Sequence, residues 1–261
     1  MTTTIKAISK GYKQTEIGVI PVDWNIQPIS QVARITTGSK NTQDRVGTGM
    51  YPFFVRSQTV ERIDSYSYDG EAVLTAGDGV GTGKVFHYIN GKFDIHQRVY
   101  KVSDFSKDLD GYFFYLYFSN YFYSRIMQMT AKSSVDSVRM EMIADMQIPL
   151  PKKSEQVAIA TALSDVDNLV QKVEILIEKK KSIKQGAMQE LLTGKRRLPS
   201  FNGKWDIKTI EDLEKNSDII LSRGKVISKI DINNNLGIYP IYSSSIHNNG
   251  EFGRYGLYMF D

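Results

Sequence analysis

The chain contains no cysteine, and that absence removes several kinds of chemistry at once. A disulfide scaffold, Cys-ligated zinc, an iron–sulfur cluster and thiol catalysis are excluded. Only three histidines are present, His87, His96 and His247, and they lack metal-site spacing. No two of the seven prolines are adjacent, so an Asn-Pro-Pro-Tyr adenine methyltransferase loop is absent. No serine lies in a nucleophile elbow. The longest aromatic-rich run, Tyr112 to Phe118, covers seven residues, where a bilayer span needs about twenty. The opening MTTTIKAISKGYKQ has no apolar core like that of a signal peptide. These absences lead us to expect a soluble, cytoplasmic protein with no membrane contact, no catalytic residue, no metal and no cofactor of its own.

What is present is globular material. Of 261 residues, 41% are hydrophobic and 24% charged, enough apolar mass for a sizeable core and too much for wholesale disorder. The net charge of +4 is unevenly placed. Residues 1–151 carry 16 Lys+Arg against 15 Asp+Glu, residues 152–197 carry 10 against 6, and residues 198–261 carry 7 against 8. The basic surplus therefore sits in the middle segment.

That segment is also the clearest structural signal. Pro149 and Pro151 block a helix upstream, and Ser154 suits an N-cap. Apolar or small residues then recur at 3–4 spacing: Ile159, Ala162, Val166, Leu169, Val173, Leu176, Ile183 and Ala187, with Lys180 as one polar core position. Gly194 suits the residue after the helix end, with Lys195, Arg196 and Arg197 beside the negative pole. The pattern predicts a coiled-coil spacer roughly 60 Å long. Its narrow seam of Ile159, Val166, Leu169, Val173, Leu176 and Ile183 calls for a partner helix.

Before the helix the reading is mixed α/β. Tyr51–Val55, Ala72–Thr75, Val85–Tyr88 and Arg98–Val102 read as short strands, with Asn90–Gly91 as a hairpin turn. Leu109 to Met129 reads as a helix whose broad aromatic stripe belongs to the core, and Val138 to Met146 as another short helix. After the spacer the pattern restarts. Trp24-Asn25-Ile26-Gln27-Pro28-Ile29 is similar to Trp205-Asp206-Ile207-Lys208-Thr209-Ile210, 181 residues later. Tyr51-Pro52 matches Tyr239-Pro240, 188 residues later. A domain-plus-spacer unit used twice is the expectation. Its parts are residues 1–151, a spacer helix at 152–197, and the start of a second domain at 198–261.

Candidate chemistry is sparse. Gly77-Asp78-Gly79-Val80-Gly81-Thr82-Gly83-Lys84 fails the phosphate-loop pattern at Asp78 and Val85. Two readings stay open for it. It is a strand–turn–strand connection needing positive φ, or a tight loop bringing backbone amides and Lys84 to a DNA phosphate. Asp165 with Glu178-Lys179-Lys180 mimics a nuclease set, but both would lie on one helix, about 20 Å apart along its axis. Donor-rich clusters suited to DNA occur at Ser39 to Arg45, at Arg56-Ser57-Gln58-Thr59, at His96-Gln97-Arg98 and at Lys132-Ser133-Ser134. Arg, Lys, Asn and Gln can read base edges, while Ser, Thr and Lys can hold phosphates.

Several stretches together resemble one known family. They are Thr15-Glu16-Ile17-Gly18-Val19-Ile20-Pro21-Val22-Asp23-Trp24, then Gly83-Lys84-Val85 with Asn90 to Tyr100. Ile148-Pro149-Leu150-Pro151 followed by Glu155-Gln156-Val157-Ala158-Ile159-Ala160 comes next, then Leu176 to Arg197 with its Met188-Gln189-Glu190-Leu191-Leu192-Thr193-Gly194-Lys195 ending. The chain is similar to the DNA-specificity subunits of type I restriction-modification enzymes. The resemblance implies an α/β target-recognition domain at 1–151, the coiled-coil spacer helix at 152–197, and an incomplete second target-recognition domain at 198–261. It implies a non-catalytic subunit that binds double-stranded DNA, reads one half of a bipartite site, and scaffolds DNA methyltransferase and motor/nuclease subunits. S-adenosylmethionine, Mg and ATP would then sit only on those partners.

The DNA-contacting candidates are Lys40, Arg45, Arg56, Ser57, Gln58, Lys84, His96, Gln97, Arg98, Lys132 and Ser133. The charged outer face of the helix, with Lys172, Glu174, Glu178, Lys179, Lys181 and Lys184, is the expected methyltransferase dock. A second copy of the chain is the simplest cover for the seam. Two other classes stay open beside this: a protein-interaction adaptor without base readout, and a fragment of a fused nuclease or methyltransferase.

Overall fold

Apolar residues on both faces of short strands build a six-stranded sheet in the first part of the chain. The computed structural model describes residues 8–129 and 137–258. They fall into two units, Met1–Lys181 and Ser182–Asp261. In the first unit, β1 (Tyr12–Thr15) and β2 (Gly18–Pro21) form a hairpin. Next come β3 (Asn25–Pro28), the one-turn helix α1 (Ile29–Val32) and β4 (Arg34–Thr37). The strands β5 (Tyr51–Phe54), β6 (Glu61–Ile63), β7 (Tyr68–Ala76), β8 (Phe86–Ile95) and β9 (Val99–Ser103) follow. The sheet order is β4-β9-β7-β8-β5-β6, antiparallel except for the β5–β8 pair.

Helix α2 (Gly111–Gln128) covers one face of the sheet. Asp110 caps it, its side chain accepting from the Phe113 amide at 2.9 Å. Phe114, Phe118, Phe122 and Ile126 then recur every fourth residue and are all fully buried. Consecutive rings stack at 5.2 and 4.5 Å. They pack on Val73, Phe86 and Val102 of the sheet. Each buried ring contributes about 1.5–3 kcal/mol. The opposite face is covered too, since Ala72, Leu74, Phe54, Phe93 and Ile95 form a second cluster. The aromatic stripe of α2 is therefore core, as its breadth implied. The short α3 (Met140–Ala144) and β10 (Gln147–Leu150) complete the unit, with β10 antiparallel to β3.

Two expectations from the sequence need correction. Asn90–Gly91 is no turn: β8 runs straight through it. Gly91 stands opposite Gly70, at φ +141° and +150°, a backbone pairing that side-chain-bearing residues rarely adopt. The reversal between β7 and β8 lies at the other end, in the loop 77–85, where Gly79 and Gly83 take positive φ. Ser154 is not the N-cap either. Helix α4 (Lys153–Leu191, 39 residues) starts two residues earlier than a Ser154 cap would place it, with the Lys152 carbonyl accepting from Gln156 N–H at 3.0 Å. The cause is Gln156, fully buried in the first turn. Its Nε2 donates to the carbonyls of Pro151 and Asp108, both at 2.8 Å, and its Oε1 accepts from the Asp110 amide at 2.8 Å. The Lys153 ammonium adds a bond to the Leu109 carbonyl at 2.7 Å. The spacer helix is thus clasped to the start of α2. Beyond Ile159 and Ala160, its apolar row is exposed.

The second unit holds α5 (Ile210–Lys215), α6 (Lys229–Asn234) and the antiparallel pair β11 (Tyr239–Tyr242) and β12 (Glu251–Tyr255). It repeats local devices of the first. A capping box at Asn41 and Asp44 precedes β5, and one at Ser228 and Asp231 precedes β11. Pro52 pairs with Arg62, and Pro240 with Arg254. Arg62 donates to the Met50 carbonyl at 2.7 Å, and Arg254 to the Ile238 carbonyl at 3.5 Å. The Trp205 repeat differs: Asp206–Thr209 forms no strand, and Ile207 is fully exposed.

Candidate nucleic-acid interface

Donor-rich side chains from separate segments converge at the sheet end where the β7–β8 loop turns. Arg56 follows β5, and its Nη1 donates to Asp78 Oδ1 at 2.8 Å. Arg98, entering β9, places Nη1 3.5 Å from Asp78 Oδ2. One carboxylate in the glycine loop therefore holds two arginines. Lys40 makes a parallel bridge with His96, and its carbonyl accepts from the Gln97 amide at 2.8 Å. The Gln97 side chain reaches Asn41 Oδ1 at 2.5 Å. Beside these lies a cavity of about 410 Å³, lined by Thr37, Gly77, Asp78, Gln97, Arg98 and Tyr100 among others.

His96 is buried beneath this cluster. Its Nδ1 accepts from the Arg98 amide at 3.0 Å, so the neutral ring carries its proton on Nε2. Burial, then the Arg56 charge, pushes its pKa below the usual histidine value. His87, whose Nε2 bonds the Ser57 carbonyl at 3.1 Å, is lowered by burial as well. Both rings are neutral at pH 7 and shape the loops that carry the exposed donors.

The other sequence candidates are distributed differently. Ser57 and Gln58 are exposed on the loop beyond Arg56, with the Ser57 hydroxyl donating to the Thr59 carbonyl at 3.0 Å. Arg45 faces Glu61 at 3.3 Å instead of the arginine pair. Lys84 lies at the far end of the glycine loop, 5.4 Å above the Tyr123 ring. Lys132 and Ser133 fall outside the described residues. The glycine loop is a strand–turn–strand connection with positive φ at Gly79 and Gly83. The Thr82, Lys84 and Val85 amides all donate to carbonyls of Gly79 or Gly81, so they do not cradle a phosphate.

Reasoning from sequence missed Asp78 and Val80, and it placed Asn41 in a donor-rich cluster without seeing its partner. Asp78 was hidden because a carboxylate in a glycine-rich run reads as a spoiled phosphate loop. Asn41 positions Gln97. Val80, 98% exposed between Gly79 and Gly81, is an apolar tip on a polar surface. Among the described residues, no group of three or more His, Asp or Glu is arranged to hold a metal ion. No described helix is long and apolar enough to cross a membrane.

Comparison with known proteins supports one family. Residues 21–185 match the type I restriction modification DNA specificity domain. The chain is 28% identical over 176 residues to the type I restriction enzyme EcoDI specificity subunit of Escherichia coli, covering 67% of this chain and 38% of that protein. It is 28% identical over 216 residues to the MjaVIII specificity subunit of Methanocaldococcus jannaschii, covering 74% of this chain and 51% of that one. The chain thus spans about half or less of these relatives' length. Its fold is similar to that of a type I restriction-modification S subunit from M. genitalium, with a TM-score of 0.55 at 17% identity, over 89% of this chain and 62% of that one.

Proposed function

The chain belongs to the type I restriction-modification DNA specificity family, and from that premise we propose that it reads base sequence in double-stranded DNA for a restriction-modification complex. The observation that carries this is the convergence of Arg56, Gln97, Arg98 and Lys40 at one end of the sheet. Arginine and glutamine fit base edges in the major groove, while Lys40, Arg45, Lys84, Lys132 and Ser133 suit the flanking phosphates. The chain itself does no chemistry in this reading. Methylation and cleavage belong to methyltransferase and motor/nuclease partners, which bring S-adenosylmethionine, Mg and ATP.

The spacer helix sets the distance between two half-sites and docks the methyltransferase along its charged face at Lys179 and Lys181. Val166, Leu169, Val173, Leu176 and Ile183 are between 46% and 61% exposed, and the same helix of a second copy, running antiparallel, would cover them. Fluorescence anisotropy tests the central reading. Duplex carrying the recognised sequence should bind more tightly than random duplex, and Arg98→Ala with Gln58→Ala should weaken that preference. Unchanged affinity and preference in the double variant would refute the placement of the interface.

A further inference from the structure

Asp78 is unusual in its setting. It is the one acidic residue in the run Gly77 to Lys84, on a surface otherwise rich in donors. The loop is laid over the backbones of both arginines. A Cβ on Gly77 would stand 3.0 Å from the Arg98 carbonyl oxygen, and one on Gly81 would stand 2.5 Å from that of Arg56. The Gly77 amide donates to the Arg98 carbonyl at 2.8 Å. Further along, the Gly77 carbonyl accepts from Val138 at 2.7 Å, fixing the loop from the other side. The glycines thus permit a close wrap, and the wrap delivers Asp78 between the two guanidinium groups.

We infer that Asp78 is a positioning residue that holds Arg56 and Arg98 as one preset donor fork for a guanine in the recognised DNA. This rests on the DNA-reading function proposed above and names its base chemistry. Three physical points lead there. A guanidinium offers paired donors matched to guanine O6 and N7, the commonest specific contact in the major groove. Arg56 hydrogen-bonded to Asp78 at 2.8 Å and Arg98 held 3.5 Å from the same carboxylate sample fewer rotamers than free side chains, so less ordering remains at binding. Finally, the Asp78 charge repels a phosphate but not a neutral base edge. A site built only to grip the backbone would not place a carboxylate between its two cations.

The test uses the full chain with duplexes selected from a pool with a randomised core, and anisotropy against one fixed non-specific duplex. The wild type should select a motif with an invariant G·C pair. Asp78→Ala, and Asp78→Asn which keeps the side-chain shape, should each lose about tenfold or more in discrimination at that pair. Both should bind the non-specific duplex as tightly as the wild type or more so, because a negative charge has gone. A merely structural role would weaken both kinds of binding together. Retained guanine preference in both variants, a wild-type motif with no invariant guanine, or parallel loss of specific and non-specific binding would each overturn the inference. A wild type that selects no motif would overturn the DNA-reading function itself.

Discussion

Gln156 is the buried side chain that clasps the start of the spacer helix, and its removal has a calculable effect. Gln156→Ala deletes three hydrogen bonds of 2.8 Å and orphans the Asp110 amide and the carbonyls of Asp108 and Pro151. The side chain is fully buried, so water does not simply replace it. Each such bond is worth about 0.5–1.5 kcal/mol net, so three lost together should cost about 3 kcal/mol, before any cavity is counted. That is a large part of the ~5–15 kcal/mol available to a domain. Urea unfolding followed by circular dichroism would read the loss. Hydrogen exchange at the Asp110 amide and in the first turn of α4 would show whether the clasp opens locally first.

Gln156→Glu sharpens the test. At pH 7 it sets a carboxylate against two carbonyl oxygens and should be at least as damaging. Protonation restores a donor, so its deficit should shrink as pH falls. A loss under about 1 kcal/mol for the alanine variant, with unchanged amide protection, would refute the clasp. If the helix sets the distance between half-sites, the alanine variant should also accept altered half-site spacing.

Other outcomes follow from the same geometry. His87 and His96 both have pKa values lowered in the fold, so the unfolded chain binds more protons than the native one as pH falls below the free histidine value of ~6.5. Stability should therefore drop between pH 7.5 and 5, and His96→Gln should flatten that slope; an identical slope in the variant would contradict the assignment. Leu169→Glu with Leu176→Glu should leave the melting temperature nearly unchanged at concentrations low enough to keep the chain monomeric, because both side chains are over half exposed, yet abolish self-association in light scattering at high concentration. A wild type that stays monomeric at high concentration would remove the second-copy cover. Val80→Ser at the exposed loop tip should leave stability within about 0.5 kcal/mol of the wild type but alter DNA affinity, and equal affinity would move the groove away from this loop.

Much of this architecture could be read from local sequence, and the failures share a cause. The two long helices were legible because the broad aromatic stripe of Leu109 to Met129, and the 3–4 spacing of Val166 to Ile183, can be read without knowing any partner, although Phe114 and Phe118 stood out only once their burial was seen. Arg56, Gln97 and Arg98 were legible as donors from residue type alone. Asp78 was not, because its meaning comes from two residues 22 before it and 20 after it. Asn90–Gly91 misled for the same reason. As a dipeptide it is a strong turn signal, and only the glycine opposite it at position 70 makes a straight crossing the better use. Gln156 lay inside a recognisable motif, but its burial depends on carbonyls 48 and 5 residues away.

The repeat shows how far local instructions reach. The capping boxes, the proline–arginine pairs and the arginine-to-carbonyl bonds each close within a few tens of residues, and all recur in the second unit. β3, which pairs with the distant Gln147–Leu150 in the first unit, has no counterpart at Asp206–Thr209. One pair of substitutions tests whether the two hairpins obey one packing rule. A Cβ on Gly49 would stand 2.5 Å from the Ile63 backbone nitrogen, and one on Gly237 would stand 2.3 Å from the Gly256 Cα. Backbone cannot swing aside as a side chain can, so each alanine variant should cost about 1–3 kcal/mol. The damage should stay at home. Gly49→Ala should raise hydrogen exchange in residues 51–63 and spare 239–255, and Gly237→Ala should do the reverse. If Gly237→Ala leaves exchange in 239–255 unchanged while Gly49→Ala disrupts its own strands, the two hairpins do not share the close strand approach, and the repeat is one of sequence only.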